Sequence, residues 1–305
     1  MGMYRTIRGK EIFIEVIGQE GLPVILYIHG GPGVVGCTDF VQYQGSRLST
    51  NFMLVAVDQR GVWRSEAIED DEEITLEDIV DDFEEIRIHL GIPKWSVVSH
   101  SFGGYIAALY ASMYPKSIEC LVFEGPTFNF ALSERSLIRA VSNELERIGE
   151  QEKSNYYLEA LNEIDDYKDI HQLMNSAFRD LGDDGVIFWH GEDKKVINRI
   201  VGASVESKSL WGKSNNTRRK LLNDWRVYHS VLDDIHAISI PSLLIKGYFD
   251  PITCDEQIKE FKDTFSDSEI IIFNSSSHSV RVEEPDKYAE VVTNYIKKVR
   301  HSGFI

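Results

Sequence analysis

Trp95-Ser-Val-Val-Ser99-His100-Ser101-Phe102-Gly103-Gly104 is a β-branched run that ends in a corner of small residues with a hydroxyl at its apex. The residues that follow, Tyr105 to Tyr114, begin a helical pattern that runs up to Pro115. This is the layout of a nucleophile elbow, in which a serine sits on a strained strand-to-helix turn and lifts its hydroxyl above the sheet. Small residues at 99, 103 and 104 suit such a turn, because strand and helix pass too close there for large side chains. Ser99 stands in the first glycine place of G-x-S-x-G and is small enough to fit.

Working outward, Val24–Ile28 and Phe52–Val57 are continuous apolar runs, the mark of strands buried on both faces. The first empties into His29-Gly-Gly-Pro-Gly33 and the second into Asp58-Gln-Arg-Gly61, so the working edge of a parallel sheet is expected at the strand C-termini. Residues 3–17 read as an edge hairpin turning at Gly9-Lys10. Thr75-Leu-Glu-Asp78 can cap a helix whose apolar positions recur from Leu76 to Leu90, until Gly91-Ile-Pro93 stops it. Beyond the elbow, Ile118–Phe123 supplies a further strand ending in Glu124-Gly-Pro126. The strand–helix alternation then lapses from Asn129 to His236, a charged and mostly helical stretch too long for an ordinary connection. It resumes with strands at 242–246 and 269–273, a helix over 255–265 between them, and a closing amphipathic helix through Tyr288, Val292, Tyr295 and Val299. The expected division is a core of residues 1–128 and 237–305 with a helical cap over 129–236.

Composition narrows the function. The 305 residues include 43% hydrophobic ones, enough for a substantial core. Against 32 basic residues stand 49 acidic ones, a formal net charge of −17 that repels phosphate backbones and anionic membranes, so neither nucleic acid nor membrane is an expected partner. Cys37, Cys120 and Cys254 are odd in number and widely spaced, which suggests neither a disulfide framework nor a zinc site, and no metal or other cofactor is expected. The opening Met-Gly-Met-Tyr-Arg-Thr lacks the pattern of a secretory leader, and no apolar run reaches membrane-spanning length, so a cytoplasmic location is expected. Oligomeric state has no signature here.

Three reactive residues fall at the ends of three separate expected strands, in the order Ser101, Asp250, His278. Serine is a poor nucleophile unaided; a histidine can take its proton and later return it to a leaving group, and an acid can fix the imidazole tautomer and stabilise its cation. A tetrahedral intermediate also needs backbone N–H donors for its oxyanion. Phe102, after the serine, offers one; Gly31 offers the other, with Gly30 as the competitor for that place or as a substrate contact. Glu124 has three readings: an alternative to Asp250 as the acid, a ligand for a substrate amine, or a tie for a loop.

Together, His29-Gly-Gly-Pro-Gly33, Asp58-Gln-Arg-Gly61 with Arg64-Ser65, the 99–104 corner, Gly247-Tyr-Phe-Asp250 and His278 with Glu284-Pro285 resemble the proline iminopeptidase branch of the α/β hydrolases, a serine peptidase family. The resemblance implies an α/β-hydrolase fold, a mostly parallel sheet flanked by helices with an inserted helical cap, and release of an N-terminal residue from a short peptide or hydrolysis of a small amide. Family members usually carry glycine where Ser99 and Trp63 stand, and some place a glutamate after the triad acid, where this chain has Pro251. Amine-binding glutamates also come from the family's cap; here Glu144, Glu146, Glu159, Glu192 and Glu206 lie in that stretch. The competing expectations are an esterase, thioesterase or carbon–carbon hydrolase with the same triad, and a non-catalytic ligand-binding protein on this fold. Epoxide hydrolases and haloalkane dehalogenases are disfavoured, because their elbow nucleophile is an aspartate.

Overall fold

The computed structural model describes residues 2–33, 36–182, 185–190, 205–233, 235 and 239–303. Eight strands form one sheet: β1 (Gly2–Ile7), β2 (Lys10–Ile17), β3 (Val24–Ile28), β4 (Met53–Val57), β5 (Trp95–His100), β6 (Ile118–Glu124), β7 (Ser242–Gly247) and β8 (Ser268–Phe273). Their spatial order is β1-β2-β4-β3-β5-β6-β7-β8; β2 is antiparallel to both its neighbours and every later pairing is parallel. The edge hairpin turns where Ile7 faces Lys10, and the strands read as buried on both faces are the central ones.

Period-two alternation divides each central strand between two helical layers. Leu26, Val55, Val97, Leu121 and Leu244 face α2 (Leu76–His89), α3 (Phe102–Met113) and α9 (Asp255–Thr264), while Tyr27, Leu54, Val98, Val122 and Leu243 face α1 (Thr38–Leu48) and α11 (Pro285–His301). Helix α2 starts as its sequence predicts: Thr75 Oγ1 accepts from the Asp78 N–H at 3.1 Å and Asp78 Oδ2 accepts from the Thr75 N–H at 3.0 Å, a reciprocal capping box. Helix α1 has no counterpart in the sequence reading. Its buried face carries Asp39 and Gln44 beside Phe40 and Leu48, so the apolar period that marks the other helices is interrupted.

Between β6 and β7, α4 (Phe130–Arg147), α5 (Gln151–Glu163) and α6 (Tyr167–Leu181) pack around a core of their own, through Leu137, Val141, Leu145, Tyr157, Leu161, Ile170 and Met174. A short α7 (Gly185–Phe188) and α8 (Val205–Leu222) follow. From Leu221 the chain returns to the sheet: Val227, Tyr228, Val231, Leu232 and Ile235 belong to the same apolar cluster as the central strands. Residue 236, the expected end of the inserted stretch, lies outside the described residues. Among the described residues no helix is long and apolar enough to cross a membrane.

The tightest approach of helix to sheet is at Gly103, where a Cβ would press into the backbone oxygens of Ile28 and His29. Backbone cannot step aside as a side-chain tip can. Gly103→Ala is expected to destabilise the protein by about 2 kcal/mol, the cost of overpacking a close-packed contact, read by urea denaturation; an unchanged midpoint would show that α3 is free to shift.

Candidate active site

The parallel register brings the C-terminal ends of β3, β5, β6 and β7 to one edge, with Ile28 opposite Ser99, His100 opposite Glu124, and Glu124 opposite Ile245. Ser101, one residue past β5, has φ 54° and ψ −123°, a region that non-glycine residues seldom adopt. Backbone bonds on both sides of the corner hold it there. The Ser101 N–H donates to Glu124 O at 3.1 Å, and Ser101 O accepts from the N–H groups of Gly104 at 2.8 Å and Thr127 at 3.1 Å. A Cβ on Gly30 would lie 2.9 Å from Ser101 Cβ, so the serine needs a glycine opposite it. Ser99 is buried and turns its hydroxyl to Val122 O at 3.3 Å, which shows how the departure from glycine is accommodated.

Asp250, past the end of β7, and His278, past β8, meet: His278 Nδ1 lies 3.0 Å from Asp250 Oδ1. A carboxylate can only accept, so Nδ1 carries a hydrogen, and in the neutral ring the lone pair is then on Nε2. Burial alone would raise the Asp250 pKa, but the facing imidazole, Lys246 and the Ile252 N–H outweigh it and hold the carboxyl below its ordinary value. Lys246 Nζ also donates to the carbonyls of Asp250 and Thr253, both at 2.6 Å, which pins the loop that carries the acid. Gly125, at φ 50°, fits beneath the pair; a Cβ there would be 3.1 Å from both Asp250 Oδ2 and His278 Nδ1. The link to the corner runs through His100: its ring centroid is 4.6 Å from that of His278, and its Nε2–H donates to His278 O at 3.1 Å. Among the described residues, no hydrogen bond joins Ser101 Oγ to the imidazole, whose Nε2 in the neutral ring could take a proton from a hydroxyl brought against it.

Phe102 follows Ser101 in the chain and Gly31 follows Gly30, the glycine set against Ser101; among the described residues neither N–H has an acceptor. For Phe102 this follows from its place as the first residue of α3, where an N–H has no intrahelical partner. Glu124 takes the loop-tying place among its three readings. It is fully buried, with Oε1 accepting from the Arg281 N–H at 2.8 Å and Oε2 from the Arg281 guanidinium at 3.1 Å. Both oxygens accept from Arg281, and His278 is paired with Asp250, the arrangement that the loop-tying reading describes. The guanidinium's other arm reaches Asp39 on α1, and together these pairs anchor α10 (Val280–Glu283) directly after His278.

The inserted helices touch the site from two sides. The His278 N–H donates to Phe188 O at 3.3 Å, Ser277 Oγ donates to Ile187 O at 3.0 Å, and Phe130 at the start of α4 packs edge-on against Phe102. On the far side α8 holds the 59–65 loop: Ser214 Oγ accepts from the Trp63 N–H at 2.9 Å, and Thr217 Oγ1 donates to Gly61 O at 3.0 Å. Of the acidic residues singled out there, Glu144 pairs with Arg147, Glu146 and Glu159 are exposed, and Glu192 and the Glu206 side chain lie outside the described residues. The carboxylate that the sequence reading missed is Glu134. Its side chain is 4% exposed, Oε1 lies 2.6 Å from His171 Nδ1, and Oε2 has no partner. Its signal was spacing: Glu134 shares the apolar stripe of Leu137, Ile138 and Val141 rather than the charged face. Among the described residues no group of three or more His, Cys, Asp or Glu side chains is placed to share a metal ion.

Comparison with known proteins agrees with this fold. A family model described as alpha/beta hydrolase fold matches residues 23–285. A proline iminopeptidase from Pestalotiopsis fici is 23% identical over 299 residues, covering 96% of this chain and 98% of its own. Among solved structures, a proline iminopeptidase-related protein from Thermus thermophilus superposes with a TM-score of 0.74 at 16% identity, covering 98% of each chain. A thermophilic esterase from Thermogutta terrifontis does so with a TM-score of 0.68 at 20% identity, covering 98% of this chain and 99% of its own.

Removing Arg281 would leave Glu124 and Asp39 as buried, uncompensated carboxylates. Arg281→Met is expected to cost about 3–5 kcal/mol at pH 8. Burial already pushes the Glu124 carboxyl up against the opposing pull of Arg281. A raised carboxyl pKa means that the folded state binds protons the unfolded state releases, so the variant's stability should fall as pH rises above the ordinary carboxyl range. Urea denaturation at pH 5.5 and 8 measures both, and a deficit no larger at pH 8 would contradict the assignment.

Proposed function

The chain belongs to the alpha/beta hydrolase family and is a hydrolase, and from this premise we propose that it is a serine hydrolase working through Ser101, His278 and Asp250. The observation that carries the reading is the buried Asp250–His278 pair, 3.0 Å apart, at the same sheet edge as the left-handed Ser101 corner. In this reading His278 Nε2 removes the Ser101 proton as Oγ attacks the substrate carbonyl. Asp250 holds the imidazole and stabilises its cation, and the N–H groups of Gly31 and Phe102 receive the oxyanion. Collapse expels the leaving group with the proton from His278; water, deprotonated by the same imidazole, then hydrolyses the acyl-enzyme. The helices between β6 and β7 act as the cap, with Gly30 lining the floor beside Ser101.

The substrate reading is a short peptide or small amide with a free amino end, as the relatives' names suggest. It is supported by Glu134, a buried carboxylate with one oxygen unpaired, one turn of α4 on from Phe130, which packs on Phe102. A cytoplasmic setting fits such a substrate. One observation favours an esterase instead: Pro251 after the acid offers no charge to a substrate amine.

A fluorophosphonate probe is expected to label the wild-type protein and to leave Ser101→Ala unlabelled; equal labelling would refute the nucleophile. His278→Ala and Asp250→Asn should each lower kcat by about 10⁴-fold. Alanyl- and prolyl-naphthylamides, set beside their N-acetylated forms and p-nitrophenyl esters, test the substrate. The free-amine substrates should be preferred, and Glu134→Gln should raise KM for them by about tenfold, one lost charge-assisted contact, without changing KM for the esters. Equal rates on free and blocked substrates would leave the esterase reading in possession.

A further inference from the structure

His29 and Gln59 belong to the two glycine-bearing loops, yet neither has a part in the chemistry above. Both are buried: His29 is 1% and Gln59 2% exposed. The backbone N–H of Gln59 donates to His29 Nε2 at 3.0 Å, and the Gln59 side-chain amide donates to His29 O at 2.9 Å. A ring nitrogen that accepts carries no hydrogen, so the His29 hydrogen must be on Nδ1. That Nδ1 lies 2.7 Å from Gly30 O, and it therefore donates. Burial lowers the His29 pKa and keeps this neutral tautomer in place, with Asp58 and Asp39 opposing and Arg64 reinforcing the effect.

The consequence lies one peptide further on. The Gly30 carbonyl is drawn to the imidazole, and the Gly30–Gly31 bond is trans, the cis bond being the next one, Gly31–Pro32. In a trans peptide the N–H points opposite to the carbonyl, so fixing Gly30 O fixes the direction of the Gly31 N–H. Gly31 itself has φ 141°, open to glycine, and would let that peptide swing without a tether. Gly30 is meanwhile pressed against Ser101 Cβ and the His100 ring, which sets where the peptide sits. The loop carrying Gln59 is tied down in turn: Asp58 accepts from the Cys37 N–H at 2.8 Å and from Arg64 Nε at 2.6 Å, and Ser65 Oγ donates to Asp58 O at 2.6 Å.

We propose that His29, held by Gln59 in its Nδ1–H form, is a positioning residue that aims the Gly31 N–H at the oxyanion forming on the Ser101 adduct. This rests on Ser101 as nucleophile, and the experiment separates the two. Asparagine presents its amide where Nδ1 stands and can still donate to Gly30 O; glutamine presents its amide at the Nε2 position and cannot. With wild type first shown to be labelled at Ser101 by a fluorophosphonate, kcat, KM and inhibition by a trifluoromethyl ketone, which forms a tetrahedral oxyanion, are measured for His29→Asn and His29→Gln. Loss of a well-aimed oxyanion donor costs on the order of 10²-fold in kcat. His29→Gln should show about that loss with KM within threefold of wild type and inhibitor affinity falling in parallel, while His29→Asn stays within about tenfold of wild type. Equal kcat in the two variants, or a loss in KM with inhibitor affinity unchanged, overturns the clamp and leaves His29 as packing. Failure of wild type to label at Ser101 overturns the nucleophile itself.

Discussion

The left-handed backbone of Ser101 is the constraint around which the rest of the sheet edge is arranged. A non-glycine residue in so sparsely populated a region costs on the order of 1–3 kcal/mol, and nothing in the serine side chain offsets it. Three backbone hydrogen bonds and three glycine contacts hold the corner instead: Gly30 against Ser101, Gly103 against the carbonyls of Ile28 and His29, and Gly104 against Pro126. Each glycine is there because a neighbour is too near for a methyl group. The corner therefore demands a glycine-rich loop after β3 and a small first turn in α3 before any reacting group is considered, which is why a ten-residue stretch could reveal the fold.

The legible parts were those where one physical demand acts alone. Continuous apolar runs marked the central strands, and the Thr75 capping box marked the start of α2. Asp250 and His278 were readable because strand ends in a parallel sheet share an edge, so residues far apart in sequence meet without long-range reasoning. Polar residues on inward faces carry no such mark. Asp39 and Gln44 disguised α1, since a buried carboxylate breaks the apolar period, and its partner Arg281 lies 242 residues away. Glu124 could be assigned only once that partner was known, and Glu134 was lost among many solvated glutamates in the same stretch.

The Asp39–Arg281–Glu124 chain shows what such buried charge does. As a source of stability it is poor, because desolvating three ions offsets most of their mutual attraction. Its geometry is specific, however. Arg281 stands three residues after His278, and its two arms reach from β6 to α1, so the loop bearing the imidazole is fastened to both the sheet and one helical layer. An apolar cluster of equal volume would fill the space and leave the rotation of that loop undetermined.

Trp63 extends this argument to the inserted helices. Its φ of 51° is a conformation in which glycine would be unstrained. A tryptophan can be kept at such a site only if its ring is buried well enough to offset the strain, and the burial comes from Trp211 on α8, with ring centroids 6.0 Å apart. The same helix presses on Gly61 and Gly33, so both glycine-bearing loops take part of their shape from the insertion. On the opposite side Phe188 O holds the His278 N–H, and Phe130 covers Phe102. The groups proposed to break the bond and those proposed to select it are therefore in direct contact. Displacing the insertion from either side must disturb the loops after β3 and β4 or the His278 loop, and that couples selection of a substrate to the alignment of Ser101, Gly31 and His278.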